Sequence, residues 1–335
     1  MTPIDRLRSL PRLGLGHWPT PLHRLDRFGA ELGVELWCKR DDVQGVALAG
    51  NKVRKFDLVV ADALERGCDT LVTTGASQSN SARAGAAVAA AVGMRCVLVL
   101  SGDEPTRSSA NLLLDRLLGA ELRFVGDRSW RWLDAEVGRI VAEVDADGRR
   151  AVAAPVGCSS PLGSLGFALA FLELDEQLRA LDLDPAAIVH TSTSGGTHAG
   201  LLVGRALAGR SVRIVGIDVG GLHDDPVAAV AALAADAGSL IGLGAPVERS
   251  EIEMTTDQLG DGYARPTPQA AAAITSLARA EAVVTDPVYS GKGLAGLVAM
   301  ARAGELDGPV VFWHTGGYHA LFDPTHGDGQ LAADR

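Results

Sequence analysis

Thr70-Leu71-Val72-Thr73-Thr74-Gly75 runs through the polar turn Ala76-Ser77-Gln78-Ser79-Asn80-Ser81 into the Ala-rich stretch Ala82 to Val92. The first segment is short, β-branched and apolar and ends on glycine, so it reads as a buried strand. The last is stopped by Gly93, so it reads as a helix with a glycine cap. Ligands of open α/β sheets bind at such strand ends.

The same alternation extends in both directions. Strands are expected at Glu35–Arg40, Arg95–Leu100, Arg150–Val156, Ala187–Thr191, Val212–Ile217 and Pro309–Trp313. Helices are expected over Arg107–Leu118, Trp130–Val144 with Ser129 as N-cap, Thr197–Leu207 and Pro226–Ala237. Strand–helix alternation implies an α/β fold with open, mainly parallel sheets flanked by helices on both faces. There is no internal repeat and no low-complexity linker, and Asp323–Arg335 is expected to fray.

A length of 335 residues suggests about two domains. Hydrophobic residues make up 47% of the chain, enough for a large core, while aromatics are only 4%. The net charge of −10, without a basic stripe, argues against nucleic acid and against an anionic membrane as partner. Met1-Thr2-Pro3-Ile4-Asp5-Arg6 is not followed by a signal-like apolar region, and Ala84–Val92 is too short to span a bilayer. A cytoplasmic location is expected. Cys38, Cys68, Cys96 and Cys158 are scattered, so buried thiols are expected rather than a disulfide framework or a metal site.

Several motifs fall at strand–helix junctions. Gly50-Asn51-Lys52-Val53-Arg54-Lys55 places a lysine at a helix mouth, where the dipole favours the neutral, nucleophilic amine. Taken alone, the same run also fits a solvated basic face. Thr191-Ser192-Thr193-Ser194-Gly195-Gly196-Thr197 follows a strand and opens a helix. It matches neither a Walker loop nor the dinucleotide fingerprint and suits a monophosphate. Ser79 and Asn80 are candidate donors to a ligand oxygen. Tyr289, in Thr285-Asp286-Pro287-Val288-Tyr289-Ser290, is a candidate acid or base. Thr315, in Trp313-His314-Thr315-Gly316-Gly317, offers a hydroxyl to a ring nitrogen. Lysine, phosphate cup, asparagine and threonine together are what pyridoxal 5′-phosphate (PLP) requires for its aldehyde, phosphate, ring hydroxyl and ring nitrogen.

The ordered motifs Pro19-Thr20-Pro21-Leu22, Lys39-Arg40-Asp41-Asp42, Gly50 to Lys55, Gln78-Ser79-Asn80, Ser159-Ser160-Pro161-Leu162-Gly163, Thr197-His198-Ala199-Gly200-Leu201, Asp286-Pro287-Val288-Tyr289 and His314-Thr315-Gly316-Gly317 cover nearly the whole chain. Through them the chain resembles the PLP-dependent family of D-cysteine desulfhydrase and 1-aminocyclopropane-1-carboxylate (ACC) deaminase. The resemblance implies the fold-type-II, tryptophan-synthase-β-like architecture. A small domain, residues 51–160, would be inserted into a large domain made of 1–50 and 161–335. It also implies a homodimer. By resemblance Lys52 is the Schiff-base lysine that also moves the α-proton. Asn80 meets the ring oxygen, and Ser194, Gly195, Gly196 and Thr197 hold the phosphate. Ser79, Tyr289 and a second tyrosine, Tyr263, take part in catalysis. Gln78, Ser79, Asn80, Tyr263 and Tyr289 are expected to face the substrate, a small amino acid, and no metal is expected.

Two positions separate the branches. ACC deaminases resemble Tyr-Glu where this chain has Tyr289-Ser290, and they lack the threonine matched here by Thr315. The resemblance therefore implies β-elimination from D-cysteine to pyruvate, ammonia and sulfide. The alternatives are ACC deamination, or elimination from L-cysteate, D-serine or a specialised-metabolite amino acid. A non-catalytic phospho-ligand binding protein is the alternative of a different class. Ser81 in place of a histidine, Ala49 in place of a glycine, and Tyr318-His319 after Gly317 depart from the desulfhydrase pattern.

Overall fold

The computed structural model describes residues 1–48, 50–244 and 247–324. Its strands are β1 (Leu22–Arg24), β2 (Leu36–Arg40), β3 (Thr70–Ala76), β4 (Arg95–Ser101), β5 (Glu121–Phe124), β6 (Ala151–Ala154), β7 (Ala187–Ser192), β8 (Arg213–Asp218), β9 (Glu253–Thr255) and β10 (Val310–His314). One sheet has the order β1-β2-β10-β7-β8-β9 and is parallel except for β1. The other has the order β5-β4-β3-β6 and is parallel throughout. Strands covered by helices on both faces must be apolar along their length. β7 and β10 are accordingly buried at every position.

Each sheet reverses its strand order once. In the smaller sheet the chain moves outward through β3, β4 and β5, then returns beside β3 as β6. In the larger sheet β7, β8 and β9 proceed to one side, and β10 inserts between β7 and β2. Loops diverge at such switch points and leave a crevice beyond the strand C-termini.

Small residues bring the layers close. A Cβ at Gly200 would overlap the carbonyl of Ser164, and one at Gly204 the side chain of Phe171. The helices Pro161–Ala180 and Gly196–Ala208 therefore pack backbone to backbone. The helix Lys52–Glu65 serves both cores: Val53, Phe56 and Val60 pack with the smaller sheet and Leu58 with the larger.

Most expected elements are found within a residue or two. The helix expected over Arg107–Leu118 instead begins at Ala110, whose φ is +45°. The reason is tertiary, because the Gln78 side chain bonds both the Ser109 carbonyl and the Asn111 N–H. Asp323 is buried and accepts from Ser109 Oγ at 3.1 Å, so the fraying expected from this residue starts no earlier than the next. The remainder of that expectation, 325–335, lies outside the described residues, as does Ala49. All four cysteines are free and buried. Among the described residues no helix is long and apolar enough to cross a membrane.

Candidate active site

The switch points of the two sheets face one another across a cleft of about 760 Å³, its solvent mouth included. β3 contributes Gly75 and Ala76, the turn after β6 Val156 and Gly157, β7 Thr191 and Ser192, and the segment after β10 Thr315 and Gly316. Lys52, Ser79, Asn80, Ser194, Gly195, Thr197, Tyr263, Tyr289 and Thr315, all expected from the sequence, line it. Gly196 does not, its N–H being spent on Ser159 Oγ at 3.2 Å. Gln78 does not either, because its amide is engaged by Ser109 and Asn111. Among the described residues no aspartate or glutamate lines the cleft.

Lys52 opens its helix and has its pKa lowered to about 8, chiefly by burial. Desolvation penalises the ammonium, and the helix N-terminus acts in the same direction. One turn on, Lys55 Nζ donates to Ser159 Oγ at 2.9 Å and to the Gly157 carbonyl at 3.2 Å. Burial, then Lys52, push its pKa well down. Among the described residues no carboxylate pairs with it. Ser159 Oγ also lies 2.8 Å from Ser194 Oγ. Gly195, at φ +79°, precedes the helix Gly196–Ala208 and offers no side-chain cap; Ser159 Oγ takes the Gly196 N–H, and the Thr197 and His198 N–H groups that follow lie in the first turn, where the helix itself supplies no acceptor. A Cβ at Gly196 would stand 2.7 Å from Lys55 Nζ, and one at Gly157 would overlap Ser194. A helix start with free N–H groups behind Gly196, a buried lysine with no carboxylate partner among the described residues, and glycines packed too closely to carry a side chain make a cup that a phosphate would fit. Lys55 and Ser159 were not among the sequence candidates. Their signals were present: Lys55 follows Lys52 by three residues, on the same helical face.

On the opposite side, Asn80 begins the helix Asn80–Val92 and Ser79 caps it, Ser79 Oγ accepting from the Ala82 N–H at 3.1 Å. Gly317, at φ +102°, leaves room for Asn80, since a Cβ there would come 3.1 Å from Asn80 Nδ2 and 2.6 Å from Asp286 Oδ1. Asp286 is fully buried and organises the tyrosine loop. It accepts from the N–H groups of Val288, Tyr289 and Ser290 at 2.8–2.9 Å and from Ser290 Oγ at 2.5 Å. The hydroxyls of Tyr289 and Tyr263 hydrogen-bond to each other. Burial pushes Tyr263 up to about 12 and Tyr289 well above its ordinary value, so both are protonated at neutral pH. Trp130, missed in the sequence, meets the Tyr263 ring edge-on at 5.4 Å from the far side of the cleft. Ser81 lines the cleft, its Oγ buried and without a hydrogen-bond partner among the described residues.

Behind Lys52 the helix is anchored by charge. Arg54 donates two bonds to Asp41 at 2.8 and 2.9 Å, two to Glu173 at 3.0 Å and one to Thr20 at 3.0 Å. Its guanidinium lies over the Trp18 ring at 4.1 Å. Trp313 Nε1 donates to Asp41 at 2.9 Å, and Lys39 pairs with Glu173. Burial alone would raise Glu173, but Arg54 and Lys39 hold it at about 2.

His190 and His198 form a second buried pair, ring centroids 4.9 Å apart, under the phosphate loop. Burial lowers His190 to about 4 and holds His198 well below its ordinary value. Both nitrogens of His198 lack hydrogen-bond partners among the described residues. Because the unfolded chain binds these protons near 6.5, the pair contributes stability above that pH, and the contribution is lost as pH falls through about 4. We expect the melting temperature to fall between pH 6.5 and 4, with a shallower slope in His198→Leu. Identical slopes in scanning calorimetry would remove the pair from the acid response.

The family model described as "Pyridoxal-phosphate dependent enzyme" matches residues 13–316. A D-cysteine desulfhydrase of Salmonella newport is 37% identical over 329 residues, covering 96% of this chain and 98% of the relative. An ACC deaminase of Burkholderia vietnamiensis is 38% identical over 333 residues, covering 94% and 96%. A solved structure described as an ACC deaminase homologue superposes with a TM-score of 0.90 at 34% identity, over 96% of both chains. A threonine deaminase, 22% identical with a TM-score of 0.65, shares the fold. The cup for a phosphate and the lysine beside it fit PLP, and the chain belongs to the pyridoxal-phosphate dependent enzyme family, in the group that holds the D-cysteine desulfhydrases and ACC deaminases.

Proposed function

We propose that this PLP-dependent lyase eliminates sulfide from D-cysteine, so that D-cysteine and water give pyruvate, ammonia and hydrogen sulfide. One observation carries the reading: among the described residues the cleft lining includes Thr315 and no carboxylate that could face the cofactor ring. Ser290, where ACC deaminases resemble a glutamate, is buried and spends its hydroxyl on Asp286. A neutral group at the ring nitrogen makes the ring a weaker electron sink, which suits departure of a good leaving group from Cβ.

PLP, when bound, supplies the electron sink that lets the Cα–H bond break heterolytically. Lys55, Ser159, Ser194 and the N–H groups of Thr197 and His198 in the first turn of the helix Gly196–Ala208 would hold its phosphate. Asn80 would meet the ring hydroxyl and Thr315 the ring nitrogen. Lys52 Nζ, with its lowered pKa, takes the Cα proton. Ser79 Oγ already accepts a backbone N–H, so its own proton is available to the substrate carboxylate. Tyr289 cannot act as a base in its protonated form. It donates its proton towards the departing sulfur, and Tyr263 orients its hydroxyl. Tyr289→Phe is expected to lower kcat about a hundredfold while cofactor affinity changes little. Wild-type turnover in that variant would remove Tyr289 from the reaction.

The test of substrate is pyruvate and sulfide release from D-cysteine, with L-cysteine, L-cysteate and D-serine beside it and 2-oxobutyrate release from ACC as a further arm. The ACC arm is warranted because an ACC deaminase is as similar in sequence as a desulfhydrase. Release from D-cysteine alone supports the reading. Product from ACC, and none from D-cysteine, overturns it. We further propose residues 51–160 as a smaller domain set into 1–50 plus 161–335, and a cytoplasmic homodimer acting on a free amino acid, with neither nucleic acid nor membrane as partner.

A further inference from the structure

We propose that Asn111 is a positioning residue that fixes which end of the Asn80 amide faces the cofactor. The argument rests on the reading that Asn80 meets the ring oxygen. Asn111 is fully buried at the start of the helix Ala110–Leu117, outside the cleft lining. Its Oδ1 accepts from Arg83 Nε at 2.9 Å. A guanidinium can only donate, so the oxygen of the Asn111 amide must lie on that side. Its Nδ2 then points the other way. It donates to the Gln78 carbonyl at 2.9 Å, an acceptor only, which fixes the same orientation independently. Its second N–H donates to Asn80 Oδ1 at 2.9 Å.

The orientation is passed on. With its oxygen held by Asn111, the Asn80 amide turns its Nδ2 towards Gly317 and the cleft. Asn80 is thereby a donor at the position where the ring oxygen, an anion in the bound cofactor, needs one. Two further contacts hold the relay in place. Gln78 bonds the Asn111 N–H at 3.0 Å, and Arg83 Nη1 donates at 2.7 Å to the carbonyl of Ala47, five residues before Lys52. Gln78, which does not face the cleft, thus acts through Asn111.

Asn111→Asp is the discriminating change. The carboxylate keeps Arg83 as partner but can only accept, so Asn80 must turn its Nδ2 to Asp and its oxygen to the cofactor. Asn111→Ala removes the constraint without reversing it. The expected order of PLP affinity, read by equilibrium dialysis of holoenzyme, is wild type, then Asn111→Ala, then Asn111→Asp, the last weakened about tenfold or more. The visible absorption maximum of bound PLP is expected to shift in Asn111→Asp. In an Asn80→Ala background, Asn111→Asp should add nothing further to the loss. If Asn111 only supported the helix, the near-isosteric aspartate would be the milder change and the two losses would add; either result overturns the proposal. If Asn80→Ala alone binds PLP normally, the reading of Asn80 fails and the relay with it. Should the variants at 111 not fold, Asn80→Asp presents an oxygen to the ring with Asn111 untouched. It is expected to lose affinity about tenfold, and wild-type affinity would overturn the proposal.

Discussion

Lys52→Ala loses turnover by about a thousandfold or more while still retaining PLP. Two separate parts of the site lead to this expectation. The cup made by Lys55, Ser159, Ser194 and the start of the helix Gly196–Ala208 belongs to other groups and survives the substitution. Lys52, the amine that lines the cleft and has its pKa lowered to about 8, does not. The two functions can be read separately. Borohydride reduction of the wild-type holoenzyme adds the mass of the reduced cofactor to the chain, whereas the variant gains none and releases PLP on denaturation. An added primary amine is expected to restore part of the turnover, since the pocket left by the lysine side chain admits one. Normal turnover in Lys52→Ala would refute the assignment of the base, and loss of PLP altogether would show that the cup does not suffice.

Arg54→Met carries the largest expected effect on stability. Asp41 is fully buried, Glu173 is largely so, and Arg54 is their shared partner. Removing one member of a buried ion network leaves charge without compensation, at a cost of about 3–5 kcal/mol. In a chain of this length that is a fall in Tm on the order of 10 °C. Lys39 still pairs with Glu173, and Trp313 with Asp41, so the fold persists with a loosened Lys52 helix. Arg54→Lys is expected to recover less than half of the loss, because an ammonium cannot span two carboxylates with parallel bonds. The sign of the pH effect follows from Glu173. Its depressed pKa contributes stability above the ordinary value of 4.5, lost as pH falls towards about 2. The gap between wild type and Arg54→Met is therefore expected to narrow in acid. A change in Tm of under about 2 °C at neutral pH would show that the network contributes little.

Much of this was legible before any coordinates. The alternation of β-branched and Ala-rich runs announced parallel sheets because a strand covered on both faces must be apolar throughout. Lys52, Ser79, Asn80, the Ser194 loop and Thr315 could be singled out because each stands where a strand gives way to a helix, a place that local sequence marks. The helix Pro161–Ala180 was not read, because its glycine-dense start looks like a loop. Its Gly166 faces the Arg54 backbone of another helix, a closeness no local pattern encodes. Gln78 was read as facing the substrate because its neighbours do. Its amide is instead used by a helix that begins thirty-two residues later, at Ala110.

The sequence by itself determined the fold class, the family and the chemical kinds of group at the strand ends, since these follow from periodicity, capping and motif spacing along the chain. Only the tertiary structure decided which of them share one cleft, that Lys55 and Ser159 stand bonded beside Ser194, and that burial raises the pKa of both tyrosines. It also decided that Asn80 presents its nitrogen. Burial and amide orientation depend on groups brought together from distant parts of the chain, and a pKa or a donor direction exists only once those neighbours are in place.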